Sequence, residues 1–240
     1  MKRRLRTWVK VSAVLAGLLA LSPRKGQEPV QPQMPEPPAS AAPIETQQAS
    51  DKEPESLSEW RKINEDVEYV LTFSDGNENR IIPVVAVSDA SYALSHDIKG
   101  KKDTMGSVFC DQSPAAPENL VIYGHSSLTK DRCFTFLKNY MNPAYYRAHP
   151  MVSVEDESGI RMCRIVSAAV YELDQDVFVG WADNTLSGSD EINDMFQSSI
   201  PYLVNHTDGE VYEGGGVLTL VTCDMTKKDA RIVLQALCTT

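Results

Sequence analysis

The stretch that decides the fold lies near the C-terminus and reads VLTLVTCDMTKKDARIVLQAL (residues 217–237). Two short runs rich in Val, Leu, Ile and Thr, residues 217–222 and 231–237, flank a polar connection, and this pattern is typical of two paired strands. Cys223 follows the first run and Arg231 opens the second. Because a short connection favours pairing of its two strands, we expect Arg231 to lie close to Cys223.

Similar apolar runs recur through the middle of the chain and predict a mainly β fold. They are short, rich in β-branched residues and separated by turn residues. Besides the two C-terminal runs, they cover residues 81–87, 119–124, 151–155 and 160–173. Many short strands at such spacing are typical of a closed barrel or a sandwich.

Apolar residues at helical spacing predict helices at three places. The first is expected to be capped by Ser56 or Ser58 and to extend through Ile63 to Val67. The other two cover residues 133–140 and 190–203. The predicted fold therefore has a helix before the strands and another helix between the late strands.

Composition and charge fit one globular domain with appendages. The chain has 240 residues, of which 42% are hydrophobic and 23% charged, so it can bury an ordinary core. Its formal net charge is −10 and no basic stripe crosses the predicted domain. Because phosphate binding requires clustered Lys and Arg, nucleic acid is not an expected partner.

The N-terminal segments predict export. A cluster of Lys and Arg precedes an apolar stretch within residues 1–22, which is typical of a secretory signal or a short membrane anchor. Both alternatives remain open. Residues 23–55 are rich in Pro, Gln, Glu, Ala and Ser, cannot bury enough apolar surface to fold, and are expected to form a disordered stalk. Residues 56–240 are expected to form the folded domain.

The chain contains five cysteines, so at least one thiol is unpaired within the chain. None occurs in CxxC spacing, and the sequence does not suggest a zinc site. A domain of this size does not require a disulfide framework, so we expect mostly reduced, buried cysteines, with Cys163 in the core. The sequence assigns no role to Cys110, Cys133, Cys163 or Cys238.

Cys223, Arg231 and one histidine are candidates for nucleophilic chemistry. A thiolate is the nucleophilic form of cysteine, and a nearby cation stabilises it. Arginine stays charged and offers a fork of N–H donors to a carbonyl oxygen or an oxyanion. Of the four histidines, His125 ends an apolar strand just after Gly124, where the backbone can turn, and it is the candidate proton carrier. For Cys223 and Arg231 alone, a buried cysteine beside a surface arginine is the open alternative.

In combination, these features resemble a sortase. The resemblance rests on YGH at one strand end (residues 123–125), TLVTC at a later strand end (residues 219–223) and the Arg231 that opens the last strand. The segment SYALSHDIKGKKDTMGSVFCD (residues 91–111) is similar to the one that precedes the YGH strand in class B sortases. The third predicted helix matches the extra helix of that class. The resemblance covers about residues 57–238.

The resemblance implies a fold, an activity and roles for three residues. The fold is a closed β-barrel of about eight strands, with an N-terminal helix and an extra helix between the late strands. The activity is that of a cysteine transpeptidase. By position, Cys223 is the expected nucleophile, His125 the general acid and base, and Arg231 the residue that binds the oxyanion or positions the substrate.

Three neighbours of these residues are expected at the site as well. Thr222 is expected to help line the oxyanion site, and Asp224 is either a local acid or a solvated turn residue. Ser126 stands where many class B sortases have Asn, and this difference bears on substrate preference. The resemblance implies no metal and no organic cofactor, although some sortases bind calcium.

The resemblance also implies partners and a location. The expected substrates are secreted proteins with a C-terminal sorting motif, and the expected acceptor is an amine of the peptidoglycan cross-bridge. The enzyme is expected at the cell membrane of a Gram-positive cell, anchored through its N-terminus, with the catalytic domain outside. The alternatives are a pilin-polymerising sortase that uses a pilin lysine, a secreted cysteine hydrolase, and a non-catalytic exported β-barrel that binds a partner.

Overall fold

The computed structural model describes residues 53–75, 78–112, 118–183, 185–209 and 211–239, and within them the fold is mainly β. The strands are β1 (Val67–Asp75), β2 (Glu78–Val87), β3 (Val108–Asp111), β4 (Asn119–Tyr123), β5 (Met151–Asp156), β6 (Gly159–Glu172), β7 (Leu203–His206), β8 (Val217–Cys223) and β9 (Ala230–Cys238). The α-helices are α1 (Leu57–Arg61), α2 (Ala90–Ala93), α3 (Pro143–Ala148), α4 (Asp176–Trp181) and α5 (Ser189–Ser199). Two 3-10 helices cover Thr135–Met141 and Ile200–Tyr202.

Eight of these strands close into a ring. The order in the sheet is β5-β1-β2-β3-β4-β8-β9-β6-β7, and an additional pairing of β5 with β6 closes it. The strand β7 pairs with β6 outside the ring. The predicted closed eight-stranded barrel is confirmed, and the full sheet carries one further strand at its edge.

The N-terminal helix is confirmed but is shorter than predicted. The carboxylate of Glu59 accepts a hydrogen bond from the backbone N–H of Ser56 (3.3 Å), as in a capping box. The helix ends at Arg61, Ile63 is 39% exposed, and Val67 begins β1, where it pairs with Val85. The prediction that the helix reaches Val67 is wrong, because pairing with β2 buries this residue better than a helix end does.

The extra helix between the late strands is also confirmed, and it ends earlier than residue 203. Its last residue is Ser199, and a 3-10 turn over Ile200–Tyr202 follows. Pro201 has no backbone N–H to continue the α-helical hydrogen bonds, which explains the early end, although Ile200 before it keeps helical angles (φ −47°, ψ −44°). Leu203 therefore belongs to the edge strand β7.

Two hydrophobic clusters lie on the two faces of the barrel wall. The inner cluster contains residues of all eight ring strands, among them Leu220 of β8 and Leu234 of β9. The outer cluster joins the other face of the wall to α1, α4 and α5 and contains Val221 and Val233. Because side chains alternate along a strand, Cys223 shares the outer face with Val221.

The cysteine pairing differs from the expectation of mostly reduced cysteines. Cys163 on β6 and Cys238 on β9 form a disulfide, and the free cysteines are Cys110, Cys133 and Cys223. The predicted core position of Cys163 is confirmed, since its side chain is 0% exposed. The two disulfide partners are 75 residues apart in sequence and are brought together by the β6–β9 register, which local sequence patterns do not contain.

Reduction of this disulfide is expected to lower the free energy of unfolding by about 4.5 kcal/mol, the chain-entropy value for a loop of this length. Urea unfolding with and without a reductant measures the loss. A Cys163→Ala/Cys238→Ala double variant should show no response to the reductant. If all five cysteines of the unreduced, denatured protein react with an alkylating reagent, instead of the three free ones, the disulfide is absent.

Candidate active site

Cys223 and Arg231 lie directly opposite each other at one end of the β8–β9 pair. The antiparallel register pairs Cys223 with Arg231, Thr222 with Ile232 and Val221 with Val233. Side chains opposite each other on the same face of two antiparallel strands have Cβ atoms about 4.5–5.5 Å apart. The juxtaposition predicted from the short connection is confirmed.

Arg231 is a buried cation without an acidic partner. Its side chain is 5% exposed, and its Nη1 donates a hydrogen bond to the carbonyl oxygen of Ala230 (2.9 Å). In the described part of the chain, no carboxylate forms an ion pair with its guanidinium. A buried charge is costly unless an opposite charge or hydrogen-bond acceptors compensate it, so this guanidinium favours negative charge developing beside Cys223.

Two opposing effects act on the thiol of Cys223. Burial raises its pKa, because the charged thiolate is poorly solvated there, and the positive charge of Arg231 lowers the pKa in part. The net direction is upward, so the thiol is protonated at neutral pH in the free protein. A base that accepts its proton is therefore required for nucleophilic attack.

His125 reaches the same edge of the barrel from β4. This strand pairs in parallel with β8, with Tyr123 level with Val221, and the N–H of Gly124 donates to the carbonyl of Val221 (3.1 Å). Continued by two residues, this register brings His125 level with Cys223. Tyr123 belongs to the outer cluster, so continued alternation places His125 on the outer face as well.

The imidazole of His125 is held by a backbone group of a distant segment. Its Nε2 donates a hydrogen bond to the carbonyl oxygen of Leu94 (3.0 Å), and the backbone carbonyl of His125 accepts one from the N–H of Phe134 (3.0 Å). Burial lowers the pKa of His125, and the hydrogen bond to Leu94 opposes this effect in part. The imidazole is therefore neutral at neutral pH. Sequence reasoning missed Leu94, because a carbonyl group leaves no signature in residue type.

The three neighbours named from the sequence have different contacts. Thr222 is 1% exposed, alternates with Cys223 along β8, and donates its hydroxyl hydrogen to the carbonyl of Gly124 (2.7 Å). The carboxylate of Asp224 accepts hydrogen bonds from the N–H (2.8 Å) and hydroxyl (2.6 Å) of Thr226 in the β8–β9 turn. Ser126 is half-buried and follows His125 directly. Thr222 thus joins β8 to the end of β4, and Asp224 shapes the turn.

A separate groove of about 920 Å³ lies away from these residues, between the N-terminal helix and β2. Its lining includes Trp60, Ile98, Gly106 and Cys133, but not Cys223, Arg231 or His125. Burial raises the pKa of the Cys133 thiol to about 11, so this cysteine is a poor nucleophile. In the described ranges, no group of three or more His, Cys, Asp or Glu side chains is arranged to hold a metal ion.

Comparison with known proteins connects this fold and site to one class. A scan of protein-family models finds no match. Sortase B of Listeria monocytogenes is 28% identical over 187 residues, which cover 75% of this chain and 73% of the relative. The crystal structure of Clostridium perfringens sortase B superposes with a TM-score of 0.67 at 23% identity, covering 77% of this chain and 100% of that one. A Staphylococcus aureus sortase B–substrate complex superposes with a TM-score of 0.64 at 20% identity, and the match covers 76% of this chain and 84% of that one.

The fold is that of a class B sortase, and the resemblance predicted from the sequence is confirmed. The sortase relative and the shared fold together indicate that this chain is a cysteine transpeptidase of the sortase type. No helix in the described residues is long and apolar enough to cross a membrane. The predicted signal or anchor, residues 1–22, and most of the predicted stalk lie outside the described residues.

Proposed function

We propose that Cys223, Arg231 and His125 are the catalytic residues of this transpeptidase. The observation that carries the proposal is the register of β8 and β9, which pairs Cys223, a free cysteine, with Arg231. The guanidinium of Arg231 is buried and forms no ion pair with a carboxylate of the described residues. His125 supports it from the neighbouring parallel strand. Acyl transfer requires a nucleophile, a cation that stabilises the oxyanion and a group that carries protons, and these three residues supply them at one edge of the barrel.

The first half of the reaction forms a thioester. His125 takes the proton of the Cys223 thiol, and the thiolate attacks the carbonyl carbon of a threonine in the sorting signal. Arg231 stabilises the oxyanion of the tetrahedral intermediate, where a single donor is worth about 10²–10³ in rate. As the C–N bond breaks, His125 returns its proton to the departing amine, and the acyl group remains on Cys223.

The second half transfers the acyl group to an amine. The amine nitrogen attacks the thioester carbonyl, His125 accepts the amine proton, and the C–S bond breaks to release the Cys223 thiolate, which takes that proton back from His125. The proposed acceptor is a peptidoglycan cross-bridge amine, so that secreted proteins become attached to the cell wall. A pilin lysine supplies the same nitrogen chemistry, and water gives hydrolysis instead.

The extended sorting signal is proposed to lie in a groove between β8, β9 and α5. Tyr171 of β6 pairs with Arg231 across the β6–β9 register, and its ring packs 5.5 Å from that of Tyr202, which follows α5. This contact supports the proposal, because it joins the turn after α5 to β6, the strand that pairs with β9 at Arg231. The hydrogen bond from Thr222 to Gly124 is proposed to keep the ends of β8 and β4 together beneath this groove.

The N-terminal segments are proposed to set the location. The basic cluster and apolar run of residues 1–22 support a signal or anchor, and the Pro-rich composition of residues 23–55 supports a stalk that holds the domain of residues 56–240 off the membrane. Positive charge prefers the cytoplasmic side, so the catalytic domain is placed outside the cell.

Incubation of the full chain with a mixture of sorting-type peptides is expected to give an acyl-enzyme on Cys223. Three arms contain triglycine, a lysine-bearing peptide or no added amine, and mass spectrometry follows the products. A new peptide–triglycine product supports wall anchoring, and a product on the lysine side chain supports pilin polymerisation. Only cleaved peptide in every arm contradicts transpeptidation. If no peptide forms an adduct and Cys223 is no more reactive than a model thiol, the result contradicts catalysis and supports a non-catalytic binding module.

A further inference from the structure

The carbonyl group that accepts the hydrogen bond of His125 belongs to Leu94, in the loop of residues 94–107. Leu94 follows α2, and its carbonyl oxygen accepts the hydrogen bond from Nε2 of His125 (3.0 Å). Since a carbonyl oxygen can only accept, Nε2 carries the proton of the neutral imidazole. The other ring nitrogen, Nδ1, has no hydrogen-bond partner among the described residues and is the nitrogen left for proton exchange.

Gly106 is packed directly against this carbonyl group. A Cβ at Gly106 would lie 2.8 Å from the carbonyl carbon and 2.9 Å from the oxygen of Leu94, and closer still to the oxygen of Ala93. Its φ of +56° is also in the left-handed region, which favours glycine. Only glycine, which has no Cβ, allows the backbone at position 106 to pack this closely against the carbonyl group of Leu94.

Further hydrogen bonds fix the two sides of the loop to each other. The N–H of Ser107 donates to the carbonyl of Ala93 (2.8 Å), and its hydroxyl donates to the carbonyl of His96 (2.8 Å). The N–H of Asp103 donates to the carbonyl of Ser95 (3.0 Å). The carbonyl of Leu94 therefore sits between anchored neighbours and has little freedom to turn away from His125.

We propose that Leu94 and Gly106 form a positioning cradle that keeps His125 in the Nε2–H tautomer and makes Nδ1 the nitrogen that exchanges protons during catalysis. In the proposed mechanism, Nδ1 takes the Cys223 proton, gives it to the departing amine as the C–N bond breaks, and takes a proton from the incoming amine. Nε2–H stays on the Leu94 carbonyl throughout. The inference rests on the proposed role of His125 and adds to it the atom that acts and the residues that aim it.

The tautomer can be read in the unmodified full chain. Nitrogen-15 NMR of histidine-labelled protein at neutral pH distinguishes a protonated Nε2 from a protonated Nδ1, and a His125→Gln variant identifies the signal among those of the four histidines. The expected result is a neutral His125 with the proton on Nε2. A neutral His125 with its proton on Nδ1 overturns the proposal.

Gly106→Ala is expected to lower kcat by about 100-fold, because a displacement of about 1 Å in a catalytic group can have that effect. KM should remain within about twofold, whereas the alkylation of Cys223 should slow together with kcat, because His125 is the base that accepts the proton of this thiol. The matched control is Gly100→Ala in the same loop. Gly100 also has a positive φ (+73°), but the contact of its added Cβ is the hydroxyl end of the Tyr92 side chain, at 3.3 Å.

A milder variant and one comparison separate the possible failures. Ser107→Ala removes the hydroxyl bond to His96 and is expected to lower kcat by a smaller factor. If His125→Ala is inactive while Gly106→Ala is as active as Gly100→Ala, the cradle is wrong and the proposed function stands. If His125→Ala retains full activity, the proposed catalytic role of His125 is wrong as well.

Discussion

Replacement of Cys223 by Ala is expected to abolish acyl transfer, with a loss of at least about 10⁴-fold in kcat. The reason is that no other described thiol can replace it. Cys163 and Cys238 are joined in a disulfide. Burial raises the pKa of Cys110 to about 12 and that of Cys133 to about 11, and neither lies opposite Arg231 in the β8–β9 register as Cys223 does. Peptide cleavage and the mass of the acyl-enzyme measure the effect.

Cys133→Ala is the matched control for this experiment. Cys133 is a free, part-buried thiol like Cys223, but it lines the separate groove beside Trp60, where its Sγ donates hydrogen bonds to the carbonyls of Met105 (3.3 Å) and Gly106 (3.8 Å). The control variant should form the same adduct as the unmodified chain, and any effect transmitted through the Gly106 contact should be limited to the rate at which the adduct forms. Formation of an acyl-enzyme by the Cys223→Ala variant, or failure of the Cys133→Ala variant to form one, contradicts the assignment of the nucleophile.

The central pair of the site was predictable because its geometry is local. Cys223 and Arg231 are joined by a short polar connection, so pairing of the two apolar runs is enough to bring them together. His125 was harder to place, since it comes from a strand almost 100 residues earlier. Its position follows from the parallel β4–β8 register, and the sequence supplied only the strand end and the glycine before it.

The structural features that the sequence did not predict depend on pairing between strands that are far apart in the chain. Val67 continues a helical spacing of apolar residues but pairs with Val85, and the short strands β3 and β7 have too few residues to show an alternation. The disulfide depends on the β6–β9 register in the same way. The hydrogen bond from His125 is made to the backbone carbonyl of Leu94, so the residue type at position 94 carries no signal for it, and Gly106 is one glycine among 13 in the sequence.

Replacement of Arg231 by Ala is expected to lower kcat/KM by about 10²–10³, the usual loss when one donor to an oxyanion is removed. A second change should accompany it. The charge of Arg231 lowers the pKa of Cys223 against the upward effect of burial, so its removal raises that pKa further. Because the thiolate is the form that reacts, the midpoint of the alkylation rate against pH should move to higher pH. An unchanged midpoint and full turnover contradict any role for Arg231.

Arg231→Lys separates the two contributions of the guanidinium. A lysine keeps a positive charge opposite Cys223 but lacks the planar fork of N–H donors. The alkylation midpoint should therefore stay near that of the unmodified chain, whereas kcat/KM should fall nearly as far as in Arg231→Ala. If the lysine variant restores turnover together with the midpoint, charge alone accounts for the effect, and Arg231 acts on the thiolate. If the lysine variant restores only the midpoint, the main contribution of Arg231 to turnover is its directional hydrogen bonds to the oxyanion.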